Sequence, residues 1–206
     1  MENQDNNYTL APLPQLAGFT FRRFEGPGDY QAMVDIIMSN IDDPNSTVTS
    51  LEDITADYAN ISESVPVRDM VFAFHADQPV AYCLTTSIWE ESSNSWIYGW
   101  LMHVHHDFKG KGIDEVLVGW LEDQAVCNHQ NLHAGANGMH SVFMPESEQE
   151  RLNIAISRGY SPERHFINMK RDLENLPEHQ FPEGIEVRPA MPSQFRQVWE
   201  ADVEAF

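Results

Sequence analysis

The stretch His103–Glu115, HVHHDFKGKGIDE, constrains this chain more than any other. An apolar, strand-like run, Trp96–Val104, leads into a turn rich in lysine and glycine at Phe108–Gly112. Past the turn, Ile113, Val116, Leu117, Trp120 and Leu121 fall on one face at helical spacing, which predicts an amphipathic helix. A strand, a glycine turn and a helix N-terminus in that order make an anion site. The turn's N–H groups point outward, glycine lets a ligand approach the backbone, and the helix dipole favours negative charge. Lys109 and Lys111 sit on this turn in a chain of net charge −20, so the expected ligand is a phosphate.

A chain of 206 residues has room for one full α/β domain and a remainder. Its 42% apolar and 11% aromatic content suits a packed core rather than disorder. No run of about 18 apolar residues is present, so no membrane-spanning helix is expected. The 32 Asp and Glu against 12 Lys and Arg give a surface that repels nucleic acid and anionic lipid. The acidity serves solubility on the plainest view, and attraction of a cationic amine on the functional one. Cys83 and Cys127 lack CxxC spacing and are expected as buried free thiols in a reducing cytoplasm.

Residues 1–17 are polar, without the basic and apolar regions of a signal peptide, and are expected as a flexible leader. The main domain spans 18–174. Phe19–Phe24 reads as a first strand, and Gly26-Pro27-Gly28-Asp29 opens a helix with proline at its first position. Ser50-x-x-Asp53 resembles a capping box for a second helix. Met70–Phe74, Val80–Trp89 and Trp96–Val104 read as strands. The Gly112–Asn128 helix is followed by a loop over Gln130–Met139 and a short strand at Ser141–Met144. Ser147-x-x-Glu150 caps a helix that Gly159 ends, and Tyr160–Leu173 closes the domain as a strand. Residues 175–183 are linker-like. Over 184–206 the pattern begins again, Gly184-Ile-Glu-Val-Arg188 echoing Gly18-Phe-Thr-Phe-Arg22, as the truncated start of a second copy.

From Phe19 to Leu173 the chain resembles the GNAT N-acetyltransferase superfamily. VHHDFKGKGIDEVLVGWLEDQA is similar to that superfamily's acetyl-coenzyme A signature, and EQERLNIAISRGY (Glu148–Tyr160) to a helix late in the fold. The restart at Gly184 resembles proteins in which two such domains are fused in tandem. The resemblance implies an α/β fold with a mixed, largely antiparallel, splayed sheet flanked by helices. It implies acetyl-CoA as co-substrate, cradled by backbone N–H groups of Lys109, Gly110, Lys111, Gly112, Ile113 and Asp114. The strand edge near Met102 and Val104 would bond the pantetheine arm. An amine would then attack the thioester directly, with no covalent enzyme intermediate and no metal.

The sequence departs from that pattern in places. Asp114 stands where glycine or alanine is usual and is expected to repel pyrophosphate. Glu148 replaces a coenzyme-holding asparagine, and Ala155 a tyrosine acid. No carboxylate lies on Trp96–Val104, so the candidate catalytic side chains are His103 and Tyr98. Their odd separation puts them on opposite faces unless Gly99 marks a bulge. Glu90 and Glu91 could hold a cationic amine, or be plain turn charges. The expected function is N-acyl transfer from acetyl-CoA to a small amine. One alternative is a degenerate, non-catalytic domain serving a second GNAT domain or a homodimer. Another is a metal-binding protein built on His103 and His105, two imidazoles on one strand face.

Overall fold

The computed structural model describes residues 8–43, 46–59, 61–62, 64–167, 169–175 and 181–205. The chain divides into two units, Met1–Pro162 and Glu163–Phe206. In the first, a five-stranded sheet runs in the order of the sequence: β1 (Thr20–Arg23), β2 (Met70–His75), β3 (Gln78–Glu90), β4 (Ser95–Val104) and β5 (Asn137–His140). Neighbours pair antiparallel except β4 and β5, which are parallel. The architecture is the mixed, largely antiparallel sheet that the resemblance implies.

Strand alternation sorts the side chains into two cores. Met70, Phe72, Tyr82 and Leu84 pack with α1 (Tyr30–Met38) and α2 (Leu51–Ala59), through Met33, Ile36, Ile37 and Ile54. Val71, Ala73, Ala81, Cys83, Met102 and Val104 pack on the other face against Ile113, Leu117 and Leu121 of α4 (Ile113–Leu132). A short helix, α3 (Pro66–Asp69), precedes β2, and α5 (Gln149–Ser157) follows β5. The caps form where their residue types sit. Pro27–Asp29 make a 3-10 turn into α1, and Ser50 and Asp53 exchange hydrogen bonds of 2.9 and 3.2 Å at the start of α2. Gly159, at φ +94°, ends α5, with the Tyr160 N–H on the Ala155 carbonyl at 3.1 Å.

Some elements fall elsewhere. The strand after α4 is Asn137–His140, which begins within the expected Gln130–Met139 loop, and not Ser141–Met144. Gly138 explains the displacement. A Cβ there would lie 2.8 Å from the His129 ring, so only glycine lets β5 pass so close to α4. No strand forms over the described part of Tyr160–Leu173, nor over Gly184–Arg188. In the second unit Pro192–Gln194 form a 3-10 turn that leads into α6 (Phe195–Ala205).

Of the leader stretch, 1–7 lie outside the described residues, while residues 8–17 make specific contacts. Ala11 is buried, its N–H donates to Gln124 on α4 at 3.3 Å, and its carbonyl accepts from Arg23 at 2.8 Å. Of the linker stretch 175–183, residues 176–180 lie outside the described residues. Cys83 and Cys127 are free thiols, the first buried. Among the described residues, no helix is long and apolar enough to cross a membrane.

Candidate functional site

The last rung of β4 is the His105 N–H on the Val80 carbonyl, at 2.8 Å. The chain then tightens into a 3-10 turn, His106–Phe108, whose Phe108 side chain is buried in the α4-side core. That anchor fixes where the next residues start. Gly110 (φ +72°) and Gly112 (φ +80°) both occupy the left-handed region that disfavours a side chain. Gly112 is the N-cap of the 20-residue α4 and brings no side chain to its first N–H groups. Among the described residues no side chain caps those donors, which lie at the positive end of a helix about 30 Å long.

Charges gather around this turn from three elements. The Lys109 ammonium lies 3.7 Å from Asp43, beyond α1, and the Lys111 ammonium lies 4.4 Å from the centre of the Phe108 ring. The Glu150 carboxylate of α5 comes within 3.8 Å of where a Gly110 Cβ would stand. Asp114 does not meet this region as a bare charge. Arg151 donates to its Oδ1 through Nε and a terminal nitrogen, at 3.2 and 3.0 Å, and through its other terminal nitrogen to Glu148. Arg151 and Asp114 are 14% and 10% exposed, so the pair is largely removed from water. The repulsion expected of Asp114 is therefore compensated by a guanidinium from α5.

Beside the turn runs an open strand edge. β5 pairs only with Ser95–Tyr98, and the Ser141 N–H on the Tyr98 carbonyl, at 3.0 Å, extends the contact by one bond. Strand alternation points the N–H and C=O groups of Trp100, Met102 and Val104 to that same side. Among the described residues no strand pairs with them there. The Val104 carbonyl is already taken by the Asn40 amide at 2.9 Å, which leaves Trp100 and Met102 as the free edge. The side chains of Met102, Val104 and Ile113 are core, so only their backbones can face a ligand.

His103 and Tyr98 stay on opposite faces, because the β3–β4 register runs unbroken through Gly99. His103 is on the α1–α2 side and stacks on Tyr82 at 5.1 Å. Burial, helped by the charge of Arg151, pulls its pKa down to about 4. Such an imidazole is neutral at pH 7 and a weak proton acceptor. Tyr98 points towards α4, where its hydroxyl meets His129 Nδ1 at 3.1 Å and His133 Nδ1 at 2.7 Å. Burial pushes its pKa up to about 12. A phenol donates one proton, so at least one of these imidazoles must carry its own proton on Nδ1 and donate back.

This tyrosine–histidine cluster is the arrangement that sequence reasoning missed. His133 falls within the expected Gln130–Met139 loop, and His129 lies between that loop and the expected helix. In the structure they lie at i and i+4 at the end of α4, with His133 stacked on Trp96 at 3.5 Å. The i, i+4 spacing was the available signal. Two other expectations separate in space. His103 and His105 do not share a face. His105 leaves the strand to cap the 3-10 turn, with its ring 5.9 Å from Phe108 and 4.9 Å from His106. Glu90 pairs with Ser95, at the opposite end of β4 from the lysine turn, and Glu91 follows it there.

No family model matches the chain. A stretch of 98 residues, 47% of the chain, is 29% identical to a mycothiol acetyltransferase of Pseudarthrobacter chlorophenolicus and covers 27% of that protein. A GCN5-related N-acetyltransferase from Sphaerobacter thermophilus superposes with a TM-score of 0.68 at 22% identity, over 96% of this chain and 60% of its own. The candidate acetyltransferase yncA from Salmonella typhimurium, with its cofactor acetyl-CoA, superposes at 0.50 and 11% identity, over 70% of this chain and 80% of its own. The chain thus spans about a quarter of the curated relative and three fifths of the Sphaerobacter structure. At these identities the likeness is one of fold, and the fold of the first unit is that of the GNAT acetyltransferases.

Proposed function

We propose that this chain binds acetyl-CoA at the turn Lys109–Asp114 and the free edge of β4, and passes the acetyl group to a small amine. The observation that carries this is the continuity of the two surfaces. An open strand edge at Trp100 and Met102 runs directly into a turn of two left-handed glycines and an uncapped helix N-terminus. A ligand that combines an extended amide-bearing arm with a pyrophosphate fits that sequence of donors and acceptors. The acetyl-CoA held by the yncA structure and the acetyltransferase named for the curated relative support the same co-substrate and reaction.

The chemistry follows from the geometry. Strand-edge N–H groups would align the pantetheine arm and polarise the thioester carbonyl. The Gly110–Ile113 N–H groups would hold the pyrophosphate, with Lys109 and Lys111 countering its charge. The attacking amine must lose a proton, and His103 at a pKa near 4 accepts one poorly. The acceptor amine must then arrive deprotonated, or pass its proton to water. The acidic surface suits a cationic amine and opposes nucleic acid and anionic membranes as partners. Two free thiols fit a reducing compartment such as the cytoplasm.

A second reading is favoured by the buried, weakly basic His103 and by Ala155, which packs fully buried in α5 where a tyrosine acid could have stood. In it the domain binds coenzyme without turnover and serves a partner, either another GNAT domain continuing from the Gly184–Phe206 echo or a second copy of the chain. Release of free coenzyme A thiol from acetyl-CoA separates the two. Amine-dependent release across a panel of small primary amines, rising with pH as the amine deprotonates, is the expected result. Binding of acetyl-CoA with no amine-stimulated release would establish the second reading instead.

A further inference from the structure

We propose that His105, His106 and Asp107 form a binding site for a divalent transition-metal ion of the zinc class, set immediately before the lysine–glycine turn. The three residues are consecutive, and the 3-10 turn brings one ligand atom from each within 4.8 Å of the others. His106 Nε2 stands 2.9 Å from Asp107 Oδ1, and His105 Nδ1 stands 3.9 Å from Asp107 Oδ2. Ligands about 2.0–2.1 Å from a tetrahedral zinc lie roughly 3.3 Å apart, and the His105 and His106 rings, stacked 4.9 Å apart, would rotate out of that stack to turn both nitrogens to one ion. His105 Nδ1 accepts the Asp107 N–H at 3.3 Å, so its lone pair is turned towards Asp107, and an ion bound at Nδ1 would take the place of that hydrogen bond. Two imidazoles and one carboxylate suit Zn2+, Ni2+ or Cu2+ rather than Mg2+ or Ca2+, which prefer an all-oxygen shell.

The backbone beneath these ligands is fixed independently of any metal. The Asn40 amide holds the Val104 carbonyl, and the His106 N–H donates to Ser39 Oγ at 3.1 Å. Ser39 in turn donates to the Ile36 carbonyl at 2.7 Å, tying the turn to the end of α1. On the far side Phe108 is anchored in the core. Ordering cost on binding is thus confined to the side chains. His106 and Asp107 are exposed, so the ion has access and keeps open positions for water or another ligand. Occupancy also inverts the local field. One carboxylate against a dication leaves a net charge of about +1 beside Lys109, where the unloaded tripeptide contributes −1. A loaded site therefore strengthens anion binding at the turn. That coupling rests on the acetyl-CoA reading, whereas the metal site stands without it.

The test is titration of Zn2+ into tag-free, chelator-dialysed protein, with visible absorption of Co2+ as a spectroscopic check on ligand geometry. One equivalent bound at micromolar affinity is expected. His106→Ala and Asp107→Asn should each weaken it at least about tenfold, while His129→Ala leaves it unchanged. Both positions are exposed, and circular dichroism verifies that the variants fold. Absence of saturable binding, equal binding by His106→Ala, or loss of binding in His129→Ala overturns the proposal. Acetyl-CoA titration with and without Zn2+ then reads the coupling. Metal binding with no acetyl-CoA binding in either condition would sink the coenzyme reading and leave the metal site standing.

Discussion

Arg151 shapes the electrostatics of the turn, because it pairs with two of the carboxylates around it, Asp114 and Glu148, while Glu150 faces Gly110. Removing it strands Asp114 in a nearly water-free place. Arg151→Ala should lower stability by about 3 kcal/mol or more, and Asp114→Asn in the same chain should restore much of the loss. Denaturant unfolding of the two single variants and the double measures it, and additive losses would count against the coupling. His103 offers a second test. Its pKa near 4 lies below the value of about 6.5 it has when unfolded, so the unfolded chain binds the proton more readily. Stability from this group is present above pH 6.5 and is lost as pH falls towards 4, by about 3 kcal/mol in all. His140, its pKa also lowered by burial, adds in the same direction. His103→Phe, which keeps a ring on Tyr82, should flatten the fall of Tm between pH 6.5 and 4, and an unchanged slope would show that His103 is not its source. Neither residue's role was legible in the sequence. Arg151 meets Asp114 across 37 positions and His103 meets Tyr82 across a strand pair, so each depends on tertiary placement.

At the scale of elements, the β4–turn–α4 unit was legible because its determinants are local. Helical spacing from Ile113 on, the apolar run before it and two glycines between them are read off one continuous stretch. The glycines carry a specific load. Gly112→Ala meets no neighbouring atom within 4 Å, so its cost is that of a left-handed backbone alone, about 1–2 kcal/mol. It should weaken acetyl-CoA binding as well, because the turn that aims the N–H groups must deform. β5 was misread for the complementary reason. Gly135 and Gly138 read as loop signals, yet Gly138 is what lets a strand lie against His129. Gly138→Ala, whose Cβ would sit 2.8 Å from that ring, should displace His129 from Tyr98 and cost about 1–3 kcal/mol. Thermal unfolding and the His129 imidazole NMR signals report the two effects together. The parallel β4–β5 pair could not be inferred from a glycine-rich segment without the helix packed over it.

For the whole molecule, the fold class was legible through the resemblance carried by the motif around Lys109–Asp114, with which the order of elements agrees, and the topology is consistent with the proposed site. The sheet opens on one side of β4, and α4 follows the turn at the end of that strand, so the proposed coenzyme would meet strand edge and helix N-terminus in succession. In a chain of net charge −20, the proposed binding of a phosphate depends on the two turn lysines, which flank Gly110 in a field that otherwise repels anions. The most direct measurement is calorimetric titration of acetyl-CoA into the native chain beside a Lys109→Glu, Lys111→Glu double variant, at two salt concentrations. The account predicts micromolar binding that weakens with salt, and at least a tenfold loss in the double variant. Native protein that takes up no acetyl-CoA, or a double variant that binds it equally well, would contradict the claim that this turn is the coenzyme site.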